Sequence, residues 1–211
     1  MTSRSHFIVL DGPDGAGKST QAARLADRLE ARGRSVERVR DPGSTPIGDR
    51  IRAILLDPEA IEMAVRTELA LHLAARAQLV RERIAPALAA GCDVVCDRFL
   101  TSTVVYQGVA GGLAPEWIWR IGREIVGEPE PDLCVLIDVA EEVARSRLDA
   151  VPDRFEARGA DFHRRVADAF RTLPASAPWP CVPVDGSGDV DEVGARVDRA
   201  IADAMGREGS R

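Results

Sequence analysis

The sequence has no Asn, a single Lys at position 18, a single Tyr at position 106 and only three His. All other basic residues are Arg, 27 of 28, so the lone Lys marks a place that wants a compact point charge, not a planar fork. No apolar stretch approaches the ~18 residues of a membrane span, so no membrane partner is expected. The opening MTSRSHFIVLDG lacks a signal-peptide pattern, which makes the cytoplasm the expected location. The four Cys show no CxxC spacing and no His at ligand distance along the chain, which suggests buried thiols, not a metal site. A basic excess is missing too: 28 basic residues face 34 acidic ones, a net charge of −6. That balance argues against a nucleic-acid polymer as partner, while leaving room for small anions held by local Arg clusters.

With 211 residues, 45% of them hydrophobic and 29% charged, the chain fits one globular domain that buries about 70% of its unfolded surface. There is no internal repeat and no low-complexity tract. Short β-branched runs at 7–10, 35–39, 93–96, 132–137 and 181–184 alternate with helical patterns, the signature of an α/β fold with a doubly wound, five-stranded parallel sheet. Helices are expected at 19–32, 63–89, 115–126, 161–172 and 190–205, with Pro86 a place where the long one could break. The polar segment 149–159 holds Pro152 and Gly159 and lacks periodicity, so a mobile loop or lid is expected there. Ligands of such sheets bind beyond the carboxyl ends of the strands.

The first strand runs into Gly12-Pro13-Asp14-Gly15-Ala16-Gly17-Lys18-Ser19-Thr20, a match to G-x-x-x-x-G-K-[ST] with a strand before it and a helix after it. With 18 Gly, one Lys and 17 Ser or Thr in 211 residues, chance would supply this pattern in roughly one such chain in 1,800. Glycines let successive N–H groups converge on a phosphate at a helix N-terminus. Lys18 can then reach the β- and γ-phosphates, and Ser19 can ligand Mg²⁺. A Ras-type GTPase would need N-K-x-D to read guanine, and this chain has no Asn and no second Lys. Asp97-Arg98-Phe99 follows the third strand, where an Asp can support the metal and an Arg can grip a second phosphate. Arg40-Asp41-Pro42-Gly43-Ser44-Thr45 lies at the same edge; alone it reads equally well as an ordinary polar turn.

Together these segments resemble the thymidylate kinase family. FIVLDGPDGAGKST is similar to its opening, RDPGSTPIGDRIR to its REPGGTPxG segment, and TELALHLAARAQ to its ExxLFxAxRAQ helix. DRFLTSTVVYQG resembles its DRYxxSxxAYQG signature, PDLCVLIDV its fourth strand, and DRFEARGADFHRRV its lid and the helix that follows. The resemblance spans residues 5–188 in order. It implies a single P-loop kinase domain over 1–211, with ATP and Mg²⁺, that converts dTMP to dTDP. The family is typically homodimeric, and helix 63–89 would suit such an interface.

The resemblance also implies roles. Gly12, Gly15, Ala16, Gly17, Lys18, Ser19 and Thr20 would cradle ATP, with Ser19 and Asp97 on the metal. Asp14 would lie near the acceptor's sugar and phosphate, and Arg98 would hold that phosphate, with Arg40 at the same edge. Arg76 would hydrogen-bond the base, with Ser102 and Thr103 beside it, Gln107 closing the pocket and Tyr106 against the deoxyribose. Gly15 stands where some members carry a catalytic Arg, so that Arg is expected in the lid: Arg154 first, then Arg147, with Arg158 also available. Three features depart from the family. His72 replaces the usual stacking Phe and could make the base contact pH-dependent; Phe99 replaces Tyr; Asp41 and Ser44 replace Glu and Gly. The alternatives are a kinase for another pyrimidine deoxynucleoside monophosphate, or a non-catalytic nucleotide-binding P-loop protein.

Overall fold

The structure is a computed structural model and describes residues 4–58, 62–148 and 153–206. Among these, five strands form one fully parallel sheet: β1 (Phe7–Asp11), β2 (Val36–Arg40), β3 (Asp93–Asp97), β4 (Leu133–Asp138) and β5 (Cys181–Asp185). Their order is β2-β3-β1-β4-β5, with Leu10 opposite Asp97 in β3 and Asp11 opposite Leu136 in β4. The expected α/β architecture is therefore present, each strand within about one residue of its expected bounds.

Both faces of the central strands are buried, which is why they read as continuous apolar runs. Phe7, Val9, Val94, Cys96, Cys134 and Leu136 face one core; Ile8, Leu10, Val95, Leu133, Val135 and Ile137 face the other. The second face is covered by α1 (Lys18–Ala31) and α9 (Val190–Gly206), through Ala22, Leu25, Ala26, Val193 and Val197. The first face is covered by α3 (Val65–Leu79), α6 (Pro115–Val126) and α8 (Ala160–Thr172), where Phe99, Trp119, Phe162, Phe170 and Trp179 fill the space. Of the four cysteines, Cys96 and Cys134 are buried, whereas Cys92 and Cys181 are only partly so.

The long helix differs from expectation. It starts at Val65, continues through a π-helical turn at Val80–Ile84, and ends as α4 (Ala85–Ala89) with Pro86 in its first turn. Pro86 has no N–H and its ring would crowd the carbonyl four residues back, so one wider turn, closed by Ala85 N–H on the Val80 carbonyl, absorbs it without ending the helix. Sequence periodicity did not reveal α2 (Pro46–Leu56), the short α5 (Leu100–Thr103) with its π-helical continuation Val104–Val109, or α7 (Glu141–Ser146). For α2 a signal existed: Thr45 caps the helix by accepting the Gly48 N–H at 2.9 Å, and Pro46 occupies the first turn. Of the expected lid 149–159, positions 149–152 lie outside the described residues. The remainder is folded down on the protein: Arg154 and Phe155 are both buried.

Candidate active site

β1 delivers the P-loop onto the N-terminus of α1. Gly12, Gly15 and Gly17 all have positive φ, at 142°, 76° and 89°. A Cβ on Gly12 would stand 2.2 Å from the Ile137 carbonyl oxygen, and one on Gly15 2.2 Å from that of Ala144, so backbone packing as well as curvature demands glycine there. Gly17 precedes α1 without any side-chain cap, which leaves the first-turn N–H groups and the helix dipole to an anion. Lys18 Nζ donates to the Pro13 carbonyl at 2.6 Å, inside the loop. Burial pulls its pKa down to about 8; the Arg98 charge adds to this, and Asp14, Asp97 and Asp11 oppose it.

Arg98 follows β3 in the left-handed region, with φ 70°, a strained conformation for a non-glycine residue at a strand end. Its guanidinium donates to the Gly12 carbonyl at 3.0 Å, to Ser102 Oγ at 2.9 Å and to Asp14. Tyr106 donates its hydroxyl to the other oxygen of Asp14 at 2.8 Å. Burial raises the Asp14 pKa, but the Arg98 and Lys18 charges and the Tyr106 hydroxyl outweigh it, so the carboxyl ends below its ordinary value. Burial and the Asp14 charge push the Tyr106 phenol well above its own, so it stays a donor. Ser19 Oγ donates to Asp97 Oδ2 at 2.5 Å, and Asp97 Oδ1 is buried with no hydrogen-bond partner among the described residues. Two hard oxygens side by side, one unpartnered, fit a small divalent cation.

Beside this cluster lies a cleft with about 550 Å³ of empty space. Asp14, His72, Arg76, Arg98, Ser102, Thr103, Tyr106 and Gln107 all line it. Arg76 is 1% exposed, pairs with Asp41 and donates to Thr103 Oγ1 at 2.9 Å and the Phe99 carbonyl at 3.2 Å. Four cleft residues hold buried polar atoms with no hydrogen-bond partner among the described residues: Asp41 Oδ1, His72 Nε2, Arg76 Nη1 and Gln107 Oε1. These atoms offer both donors and acceptors to a polar ligand in the cleft. Burial and then the Arg76, Arg154, Arg98 and Arg52 charges hold His72 well below its ordinary pKa. That direction favours the neutral imidazole. Its ring lies 6.0 Å from that of Phe155.

Several predicted residues sit elsewhere. Arg40 lines a separate depression with Ser19 and Asp97, and half of its side chain is exposed. Ser102, expected against the base, also binds Asp11 Oδ1 at 2.6 Å and so props Arg98. Arg154 donates to Glu68 at 2.6 Å and to the Leu55 carbonyl at 2.8 Å; Arg158 donates to Glu68 at 2.7 Å. Arg147 is the lid-flanking arginine beside the cradle. Its Nη1 lies 3.9 Å from where a Gly17 Cβ would be, and it reaches the Gly186 and Gly188 carbonyls at 3.4 Å.

Three residues escaped sequence reasoning. Asp11, fully buried, accepts from Gly12 N–H at 2.9 Å and Ser102 N–H at 3.0 Å and so ties the P-loop to α5. Arg52 on α2 lines the cleft and donates to the Pro42 carbonyl at 3.1 Å. Glu68, with no exposed surface, gathers Gln107, Arg154 and Arg158. For Glu68 the signal was its place as the acid of the ExxLFxAxRAQ-like segment, and only the fold shows its partners.

A family model described as thymidylate kinase matches residues 10–197. The thymidylate kinase of Deinococcus radiodurans is 41% identical over 203 residues, covering 95% of this chain and 98% of that protein. That of Ectopseudomonas mendocina is 43% identical over 197 residues, covering 92% and 94%. The crystal structure of thymidylate kinase from Ehrlichia chaffeensis superposes with a TM-score of 0.77 at 27% identity, covering 93% of this chain and 98% of the other. With the P-loop, the Asp97-Arg98 edge and the polar cleft all in place, the chain belongs to the thymidylate kinase family.

Proposed function

We propose that the chain transfers the γ-phosphoryl group of ATP to dTMP, yielding dTDP and ADP by in-line displacement, as one P-loop kinase domain with a short lid. The observation that carries this reading is the Asp14–Arg98 pair. Asp14 belongs to the P-loop and Arg98 to the strand edge, and both line the cleft, so a donor cradle and an acceptor cleft share one wall. Catalysis is then alignment together with positive charge on the transferring oxygens.

The P-loop N–H groups and Lys18 hold the donor's phosphates. Arg98 and Arg52 supply cationic groups to the acceptor phosphate, and Asp14 fixes the Arg98 fork. Tyr106, anchored on Asp14, covers the deoxyribose and disfavours a 2′-hydroxyl. Arg76, Thr103 and Gln107 recognise the base, with the His72 imidazole replacing a phenyl ring as its stacking surface. Ser19 and Asp97 would hold Mg²⁺, which neutralises charge on the donor phosphates when bound. Arg147 is assigned to the nucleotide side of the lid, because it lies beside Gly17 whereas Arg154 contacts Glu68 and the Leu55 carbonyl. No helix among the described residues is long and apolar enough to cross a membrane, in keeping with a cytoplasmic enzyme.

Exposed Ile47 and Ile54 on α2 and Ile125 on α6, helices that both pack on α3, support a homodimer formed through that side. A kinase for another pyrimidine is not favoured, given the likeness to thymidylate kinases, and the presence of Lys18, Ser19, Asp97 and Arg98 argues against a non-catalytic binder. Lys18→Ala tests the reading in a single-turnover assay: transfer should be lost, by at least roughly a thousandfold, and retained turnover would refute the P-loop assignment.

A further inference from the structure

Glu68 on α3 has no solvent-exposed surface, yet three donors from two parts of the molecule converge on it. Gln107, in the π-helical segment that lines the cleft, donates from Nε2 to Oε1 at 2.7 Å. Arg154 and Arg158, from the segment that leads into α8, donate to Oε2 at 2.6 and 2.7 Å. A carboxylate facing two guanidinium groups only accepts hydrogen bonds, so it dictates which end of the Gln107 amide turns toward it. The NH₂ end must face Glu68. The carbonyl end, Oε1, is then buried on a cleft-lining residue with no hydrogen-bond partner among the described residues. A buried acceptor in that state is relieved by a ligand that donates.

We propose that Glu68 is a positioning residue that makes the cleft select an acceptor base with a ring N–H, by fixing the Gln107 amide so that its carbonyl faces the ligand. A keto pyrimidine offers N3–H to that carbonyl. Cytosine presents a lone pair at N3 and meets another lone pair, and like-for-like acceptors repel. The same carboxylate anchors Arg154 and Arg158, so base selection and seating of the lid segment share one anchor. This rests on reading the chain as a pyrimidine nucleotide kinase, and deepens it by naming what sets the base choice.

The test compares kcat/KM for dTMP and dCMP in the full chain, in Glu68→Gln and in Gln107→Met, with circular dichroism as a check of folding. In Glu68→Gln the neighbour can donate as well as accept, so the Gln107 amide is free to flip, and the dTMP-to-dCMP ratio should fall at least about tenfold. Gln107→Met removes the amide and should lower the same ratio while leaving Glu68 paired with both arginines. A merely structural role would depress both substrates together and leave the ratio unchanged. A folded Glu68→Gln variant with the parental ratio overturns the proposal; if that variant does not fold, an unchanged ratio in Gln107→Met overturns it. Parent enzyme without preference for dTMP over dCMP would sink the functional reading itself, whereas a selective parent with ratio-neutral variants would sink only the role of Glu68.

Discussion

Lys18 is 6% exposed, and the charge of Arg98 at the neighbouring strand edge adds to the effect of burial while Asp14, Asp97 and Asp11 offset it. With the Lys18 pKa pulled down to about 8, the ammonium is charged at pH 7 and largely lost by pH 9. Affinity for ATP should therefore fall as pH rises through about 8, and calorimetric titrations at pH 7 and 9 measure this; equal affinities would contradict it. Folding lowers this pKa from 10.5, so between about 8 and 10.5 the unfolded chain binds the extra proton. The Lys18 contribution to the stability of the ligand-free protein accordingly rises with pH over that window, opposite in sign to its effect on binding. Arg147 offers a second residue-scale test. Placed beside Gly17, it should act on the donor, so Arg147→Ala should raise KM for ATP by roughly tenfold and change KM for dTMP much less. Equal effects on the two substrates would remove it from the nucleotide side.

The elements that carry the site differ in how their ends are satisfied. α1 begins at Gly17 with no side-chain cap and offers its N-terminus to phosphate, whereas α2 is closed by Thr45. Thr45→Ala should cost about 1 kcal/mol of stability, read from urea unfolding, because the Gly48 N–H loses its acceptor. An unchanged midpoint would show the cap to be replaceable. The P-loop, both its flanking elements and the Asp97-Arg98 edge were legible in sequence, because each is a local pattern with its own turn chemistry. α2 was not, since Gly48 and the polar Asp49, Arg50 and Arg52 dilute its apolar face. The π-helical turns were not legible either; they are set by Pro86 in one case and by packing between α6, α8 and the cleft in the other. Nor was the contact of Arg154 with Glu68 legible, because the two residues lie 86 positions apart along the chain.

At the scale of the whole molecule, the strand order puts the carboxyl ends of β1 and β3 side by side, and that adjacency brings Asp14 to Arg98 and Ser19 to Asp97 across about 80 residues of sequence. Light scattering should give twice the 22.8 kDa of one chain if the Ile47, Ile54 and Ile125 side pairs with a second copy, and a single-chain mass would remove the homodimer. The central claim is the transfer of phosphate from ATP to dTMP in a cleft whose polar atoms await a keto pyrimidine. Coupled measurement of ADP release with dTMP, dUMP, dCMP, AMP and GMP tests it most directly. Turnover with a clear preference for dTMP is the predicted result; equal rates across the five acceptors, or no release with any of them, would contradict it.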